Sequence, residues 1–431
     1  MPTDINFPPR IEYFRLQWID YSGVLRVRIV SRSVALDLAK NKQSYTLAQN
    51  CLIIPISTAP ACFPDGIEEW LLIPDWKSLR VCGFKNNYAS VMCGTSRAGF
   101  VASSARCPRS RLCDVLSEFG STHSYSIMLG FEIEFSFLDQ GFNIVACLDQ
   151  GIGYSTSTGL RGEMGNILDE IVSALKVSGI EIYHFHVEMA DQYEIALSPL
   201  PPMEAIDALI MTQETIRTIA IRHGLRAQLS PKPVGGGRGP KNGLHAHLSL
   251  NPAQGNENHF LAGILRKVRS LCAFGLANYD SYERVAGDCA GEWVAYGSGN
   301  KDLPIRQVNH HRWEIRFLDA TANVYLFMAA IISAGMEGLL SQRHLAMEDC
   351  QVVPSALSFE EAKRQLGEKG ITERMPKSLK ESIDAVTEDK EMKDWVGEEL
   401  LTHYVRVKQK EVEHFGKMGE DERRIKMLQY F

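Results

Sequence analysis

Ten cysteines are scattered through 431 residues without one C-x-x-C pair. That excludes a zinc knuckle or a disulfide framework and predicts free thiols in a reducing, cytoplasmic setting. Positive charge is not in surplus either: 46 Lys and Arg stand against 52 Asp and Glu, for a net charge of −6. A chain without a basic excess has little with which to track a phosphate backbone, so no nucleic-acid partner is expected. No apolar run reaches the roughly 20 residues of a bilayer-crossing helix. The most apolar stretch, Tyr325 to Met336, contains Ser333 and Gly335 and runs into Glu337, which reads as a buried helix. The opening residues, Met1-Pro-Thr-Asp-Ile-Asn-Phe-Pro-Pro, lack the basic-then-apolar order of a secretory signal. No internal repeat is visible, and no membrane association is expected.

What remains is an ordinary globular composition, 45% hydrophobic and 23% charged, in a chain long enough for two or three domains. Phe14, Leu16 and Trp18 alternate with Arg15 and Gln17. After the turn Asp20-Tyr-Ser-Gly23, Leu25, Val27 and Ile29 alternate with Arg26 and Arg28. This predicts a β-hairpin with one apolar face, within a first hundred residues of strands and loops. The Ser-, Ala-, Gly- and Cys-rich segment from Ala89 to Pro108 is weakly patterned and marks a boundary, giving domains 1–105 and 106–431. Residues 203–223 carry Ile206, Leu209, Ile210, Ile216, Ile219 and Ala220 at helical spacing, with Gly224 as the stop. From Phe359 onward the chain reads as amphipathic surface helices.

The informative feature recurs on four strands. Residues two apart on a strand share a face. In Phe131–Phe137 the odd positions are apolar, while Glu132 and Glu134 share the other face. In Leu244–Leu250, His245, His247 and Ser249 oppose the leucines and Ala246. Arg312, Glu314 and Arg316 oppose Trp313, Ile315 and Phe317, and Gln192 and Glu194 oppose Tyr193 and Ile195, with Glu188 upstream. One such strand alone reads as a wet surface. Four polar faces made mostly of Glu, His and Arg read differently. If they converge, five carboxylates and at least one imidazole share a cleft and require cations, Mg²⁺ or Mn²⁺. Arginines beside hard cations suit a polyphosphate. The residues alone therefore predict a metal-dependent enzyme acting on a nucleoside triphosphate.

These strands, in this order, resemble the glutamine synthetase superfamily, particularly the glutamine-synthetase-like proteins of fungi and bacteria. The ATP-region motif of that family is matched by Lys232-Pro-Val, five residues, then Pro240-Lys-Asn-Gly-Leu-His245-Ala-His-Leu-Ser249, broken only by Lys241. The stretch Arg312-Trp-Glu-Ile-Arg-Phe-Leu-Asp-Ala-Thr-Ala-Asn-Val-Tyr-Leu326 is equally specific, and the similarity extends from near Ile11 to Glu411. The resemblance implies an α+β fold: a small β-grasp-like N-terminal domain, and a glutamine-synthetase-type α/β catalytic domain with a curved antiparallel sheet forming a half-barrel funnel. It implies ATP as co-substrate and two or more Mg²⁺ or Mn²⁺ ions. Glu134, Glu188 and Glu194 would hold one ion, and Glu132, His245 and Glu314 another. His247, Ser249 and Arg312 would bind ATP, with Arg306 and Arg312 on its phosphates. Arg284 and Arg316 would hold substrate carboxylates. The implied reaction makes an amide from a carboxylic acid and an amine through an acyl phosphate, in a homo-oligomer of ten or twelve subunits in stacked rings.

The chain also departs from that family. The Glu188–Glu194 interval is one residue shorter, and Asp191 stands where glycine is typical, which makes His186 an alternative ligand to Glu188. Lys301 replaces an arginine of the phosphate clamp, keeping charge but losing the bidentate fork. Pro240-Lys241 replaces a Gly-containing turn that grips glutamate. Ala290 occupies the position of the glutamate that deprotonates ammonium, with Glu292 or Asp288 as substitutes, and no Asp-Gly-Ser-Ser segment lies between residues 40 and 66. Catalytic roles are therefore expected for Arg306, Lys301 and Glu292, with an organic amine preferred to ammonium. A catalytically silent structural or regulatory relative is the first alternative. A metal-dependent hydrolase built on His245 and His247 is a distant third. The glycines of 235–239 lack the strand–loop–helix context of a phosphate loop, and His310-His311 reads as a turn.

Overall fold

In the computed structural model of the protein, the alternation near the N-terminus folds as the expected hairpin. Strand β1 (Tyr13–Ile19) runs antiparallel to β2 (Leu25–Ser31). The structure describes residues 7–56, 69–97, 105–145, 153–189, 191–235, 239–286 and 290–431. Asp20 organises the turn: its carboxylate accepts from the amides of Ser22 and Val24 and pairs with Arg26 at 2.7 Å. The single shared apolar face does not form. The turn sets Leu16 opposite Arg28 and Trp18 opposite Arg26, and cross-strand partners share a face. Leu25, Val27 and Ile29 therefore lie on the other side, where Ile29 is 47% exposed.

Helix α1 (Arg32–Ala39), which the sequence reading missed, follows β2. Strands β3 (Tyr45–Ala48), β4 (Glu69–Pro74), β5 (Arg80–Val81) and β6 (Tyr88–Arg97) complete a mixed sheet in the order β2-β1-β6-β4-β3, with β5 on β6. Central β6 runs parallel to β1 and is buried along most of its length. A strand covered on both faces shows no alternation, so the first part of the weakly patterned Ala89–Pro108 segment, as far as Arg97, is sheet.

A second sheet holds β7 (Ser126–Leu138), β8 (Ile182–Glu188), β9 (Gln192–Leu197), β10 (Arg226–Gln228), β11 (Leu244–Asn251), β12 (Tyr296–Ser298), β13 (Ile305–Asn309) and β14 (Arg312–Ile315). Its order is β12-β13-β14-β11-β7-β9-β8, with β10 also on β7, and it curls into a half-barrel. Helices α2 (Pro108–Thr122), α3 (Glu163–Val177), α4 (Pro202–Arg222), α5 (Glu257–Gly275), α6 (Ser281–Val285) and α7 (Val324–Leu340) belong with this sheet in the mixed α+β fold. Five more follow: α8 (Phe359–Gly367), α9 (Leu379–Glu388), α10 (Lys390–Val396), α11 (Glu398–Phe415) and α12 (Glu420–Met427).

The expected helix over 203–223 is α4, and Gly224 ends it at φ +73°. The apolar Tyr325–Met336 stretch is the heart of α7, buried throughout. It lies backbone to backbone on α5: a Cβ on Gly263 would sit 2.1 Å from the Ala334 carbonyl, and one on Gly338 2.1 Å from that of His259. Among the described residues no helix is long and apolar enough to cross a membrane. The seven cysteines described are free, while Cys62, Cys147 and Cys289 lie outside the described residues.

One buried ion cluster ties the two sheets' surroundings together. Arg109 on α2 donates to Asp75 after β4 at 2.7 Å, to Asp207 on α4 at 3.0 Å and to the Tyr325 hydroxyl on α7 at 2.8 Å. Removing one partner strands a desolvated charge, at a cost of about 3–5 kcal/mol. Asp207→Ala is therefore expected to destabilise the protein by about that amount, read as a lowered urea midpoint at fixed protein concentration.

Candidate active site

The four strands singled out by composition are neighbours, in the order β14-β11-β7-β9. Their registers set His247 opposite Glu314, His245 opposite Glu132, and Glu134 opposite Glu194. The alternate residues Phe131, Ile133, Phe135, Ala246, Leu248, Trp313, Ile315, Tyr193 and Ile195 are essentially inaccessible. Burial of that apolar face turns the charged face into the concave side of the half-barrel. The separate polar faces are one surface.

On it, His245 Nδ1 lies 3.4 Å from both Glu132 Oε2 and Glu314 Oε1, and its Nε2 lies 3.8 Å from Glu134. His247 Nε2 sits 2.8 Å from the other Glu132 oxygen. Arg306 reaches Glu314 at 2.9 Å, and Arg316 bonds the same carboxylate. Glu134 accepts from the Gly243 amide at 2.7 Å and from Gln192 at 3.2 Å. A side chain at 243 would press on His245 and Arg284, its Cβ falling 2.8 Å and 3.1 Å from their nitrogens. Glycine there lets the backbone approach the cluster.

The electrostatics are lopsided. Burial opposes the charge on Glu132, but hydrogen bonds from His245 and His247 outweigh it and hold the carboxyl far below its usual range. Glu314, also against burial, is held down at about 2 by His245 and Arg316. Glu194 goes the other way. Burial first, then the charges of Glu132, Glu134, Glu188 and Glu314, push it up to about 9. A carboxyl that cannot ionise beside its neighbours marks a deficit of positive charge, and an oxygen-rich donor set with an imidazole fits a divalent cation. Among the described residues three groups of donor atoms each lie within 4.8 Å of one another: Glu132, Glu194 and His245; Glu132, His247 and Glu314; and His184, His186 and Glu194.

These groupings differ from the expected ligand sets. Glu132, His245 and Glu314 do meet, but Glu188 turns aside, with one oxygen 3.2 Å from His186 and the other on the Met189 amide. Asp191 adopts φ +63°, a backbone region that explains why glycine is usual there. His247, Ser249 and Arg312 line a cavity of about 380 Å³ with Glu132, Tyr183 and His184. Arg312 donates to His247 Nδ1 at 3.1 Å. Arg284 is fully buried and donates to the carbonyls of Arg316 and Leu318 at 2.9 and 2.8 Å. Arg284 and Arg306 each keep a buried Nε–H without a partner among the described residues.

Two catalytic expectations are not brought to the carboxylates. Glu292 pairs with Arg374 and lines a separate cavity of about 640 Å³ beside Glu283 and Lys377. The cause is a pairing between distant segments: residues 292–294 pair with 373–375, which points this carboxylate at Arg374. Lys301 is exposed and stands 5.7 Å from the Tyr154 ring, which packs edge-on against His186. Asp288 and the centre of the 235–239 glycine run lie outside the described residues, and His310-His311 forms the β13–β14 turn as expected. Sequence reasoning missed His184 and Tyr183. The alternation of Tyr183, Phe185 and Val187 with His184, His186 and Glu188 carried the signal that the four other strands did.

A family model of the glutamine synthetase catalytic domain matches residues 105–426. Over 437 residues the chain is 33% identical to the protein fluG of Emericella nidulans, covering 97% of this chain and 49% of that protein. It is 31% identical to a Helicobacter pylori glutamine synthetase over 53% of this chain and 50% of that one. A Dictyostelium discoideum type-1 glutamine synthetase is 24% identical, with 98% and 90% covered. The chain thus spans about half the length of the first two relatives. A solved structure described as a GmaS/ADP complex superimposes with a TM-score of 0.81 at 22% identity, over 96% of each chain. A novel glutamine synthase homolog gives 0.80 at 21%, over 99% and 100%. At these identities the structural likeness speaks for the fold alone.

The proton on Glu194 has a measurable consequence. Its value of about 9 lies above the ordinary 4.5, so the metal-free folded protein keeps a proton that the unfolded chain gives up. The stability it contributes is complete below the ordinary value and is lost as pH rises towards the raised one. The depressed Glu132 and Glu314 lose theirs only on acidification below the ordinary carboxyl range. In EDTA, the melting temperature of Glu194→Gln should therefore decline less than that of the wild type as pH is raised from about 5 to about 9.

Proposed function

The chain belongs to the glutamine synthetase family, and from that premise we propose that it is an ATP-dependent ligase joining a carboxylic acid to an amine. The observation that carries the reading is the shared concave face, on which Glu132, Glu134, Glu194, His245 and Glu314 meet beside a cavity of about 380 Å³. In this reading Glu132, His245 and Glu314 serve one cation position and Glu194, with Glu134 on the neighbouring strand, serves the other, with Mg²⁺ or Mn²⁺ as the ions. His247, Ser249 and Arg312 take the nucleotide. Arg306, with Lys301 at the rim, faces the transferring phosphoryl group. Arg284 and Arg316 hold the acid, a role supported by the buried, unpartnered Nε–H of Arg284.

The chemistry has two displacements. A carboxylate oxygen attacks the γ-phosphorus and ADP leaves, giving an acyl phosphate. The amine nitrogen then attacks the acyl carbon, inorganic phosphate leaves, and the nitrogen gives up a proton. Bound cations neutralise charge on the phosphoryl group. The protein's own share is positioning: guanidinium groups fixed by Glu314 and by backbone carbonyls meet developing charge without reorganising. Ala290 in place of the ammonium-deprotonating glutamate, and Glu292 drawn to Arg374, support an organic amine over ammonium. The same two features favour the second reading, a silent relative that keeps the fold. Free thiols support a reducing compartment, and the family resemblance supports a ring-shaped homo-oligomer.

Hydroxylamine trapping tests the ligase directly. With ATP, Mg²⁺ or Mn²⁺ and a panel of carboxylic acids led by glutamate, one acid should yield hydroxamate and ADP, and Glu134→Gln should abolish both. With that acid, primary organic amines should outperform ammonium. No hydroxamate and no ADP with any acid would hand the case to the silent relative, and glutamine formation from ammonia at an ordinary enzymatic rate would overturn the amine preference.

A further inference from the structure

Edge strand β8 carries His184, His186 and Glu188 at alternate positions, so all three face the cleft. His186 stands directly opposite Glu194 across the β8–β9 ladder. The Glu194 oxygen Oε1 lies 3.3 Å from His184 Nε2 and 3.9 Å from His186 Nδ1. The second nitrogen of His186 sets this group apart from a chance cluster. While Nδ1 faces Glu194, Nε2 lies 3.2 Å from Glu188 Oε2. An imidazole that ligates a metal through one nitrogen regularly gives its other N–H to a carboxylate, which fixes tautomer and ring. Glu188 is itself held in that position by the Met189 amide at 3.1 Å, and the Tyr154 ring packs edge-on against His186 at 5.3 Å.

Resting on the reading of the cleft as a divalent-cation site, we propose that the ion on its β9 side is held by His184, His186 and Glu194 and is Mn²⁺ in preference to Mg²⁺, with Glu188 orienting His186 instead of binding the ion. Mg²⁺ demands oxygen ligands in near-ideal octahedral geometry, whereas imidazole suits first-row transition dications. His184 also lines the cavity assigned to the nucleotide, so this donor group borders that cavity. Two imidazoles plus one carboxylate make this position more nitrogen-rich than the one at Glu132, His245 and Glu314. The two positions therefore differ in metal preference.

The test is Mn²⁺ binding to the metal-stripped, full-length protein, followed by titration and by pulsed EPR, with Mg²⁺ as competitor. The wild type should show nitrogen couplings from more imidazoles than His245 alone, persisting in excess Mg²⁺. The His184→Gln/His186→Gln double variant should lose those extra couplings together with one class of bound Mn²⁺, while Glu188→Gln keeps the couplings and binds that class about 10- to 100-fold more weakly. Retention of Mn²⁺ at the Glu132–His245–Glu314 position reports that the double variant is folded. Couplings from a single imidazole in the wild type, or unchanged couplings in the double variant, would overturn the proposal. No turnover is involved. Intact couplings without hydroxamate sink only the ligase reading, and hydroxamate without the extra couplings sinks only this one.

Discussion

Like charges on one sheet face repel, and the neighbourhood of the cleft is organised around that repulsion. Two unit charges 4 Å apart cost about 4 kcal/mol at the effective dielectric of a partly exposed site, and five carboxylates converge here. Each is answered differently. Glu132 has two imidazoles, Glu314 has Arg306 and Arg316, and Glu134 has the neutral donors Gly243 N–H and Gln192. Glu188 leans on His186 and a backbone amide. Glu194, the most hemmed in, keeps its proton instead. The charge deficit is therefore local, at the β9 side of the sheet, and that is where a cation gains most from binding.

The scaffold tolerates this because the same strands bury an equally extreme apolar face. On β7 the residues alternating with the glutamates, Phe131, Ile133 and Phe135, have at most 1% exposure, and a one-residue slip would exchange the two faces. Register is thus enforced by hydrophobic burial on one side and spent on charge placement on the other. The N-terminal part is locked to this frame by polar contacts as well as by packing. Arg109 joins Asp75 to Asp207 and Tyr325, and Ser22 in the first hairpin's turn donates to Glu411, which is paired with Lys408 in full burial. Buried ion pairs such as Lys408–Glu411 and Arg109–Asp207 contribute little net stability, but they are costly to break singly, which favours one docking over others.

Alternation made the sheet's chemistry legible. Where polar and apolar residues alternated in Phe131–Phe137, Leu244–Leu250 and Arg312–Ile315, the strand and the face of its charged residues followed. The reading failed where a local rule was overridden by context. On β2, apolar alternation was present but its phase relative to β1 depended on a turn held by Asp20, a register that composition does not encode. On β6, burial of both faces erased the period. Glu292 is near Ala290 in the chain, but its direction is set by a bridge to the 373–375 segment, a long-range pairing with no sequence signature. His184 shares its phase with His186 and Glu188, so the same alternation carried its signal.

The shortened interval between Glu188 and Glu194 brings these points together. In an antiparallel pair the connection fixes which residues stand opposite one another. Here Asp191 takes a left-handed conformation, and the ladder sets Glu188 against Gln192 and His186 against Glu194. The carboxylate at 188 is therefore carried one step towards the turn, and the imidazole at 186 takes the place across from the most charge-starved group in the cleft. A neutral nitrogen donor there adds a ligand without adding another negative charge. For a site already crowded with carboxylates, that relieves the repulsion from which the rest of the arrangement follows.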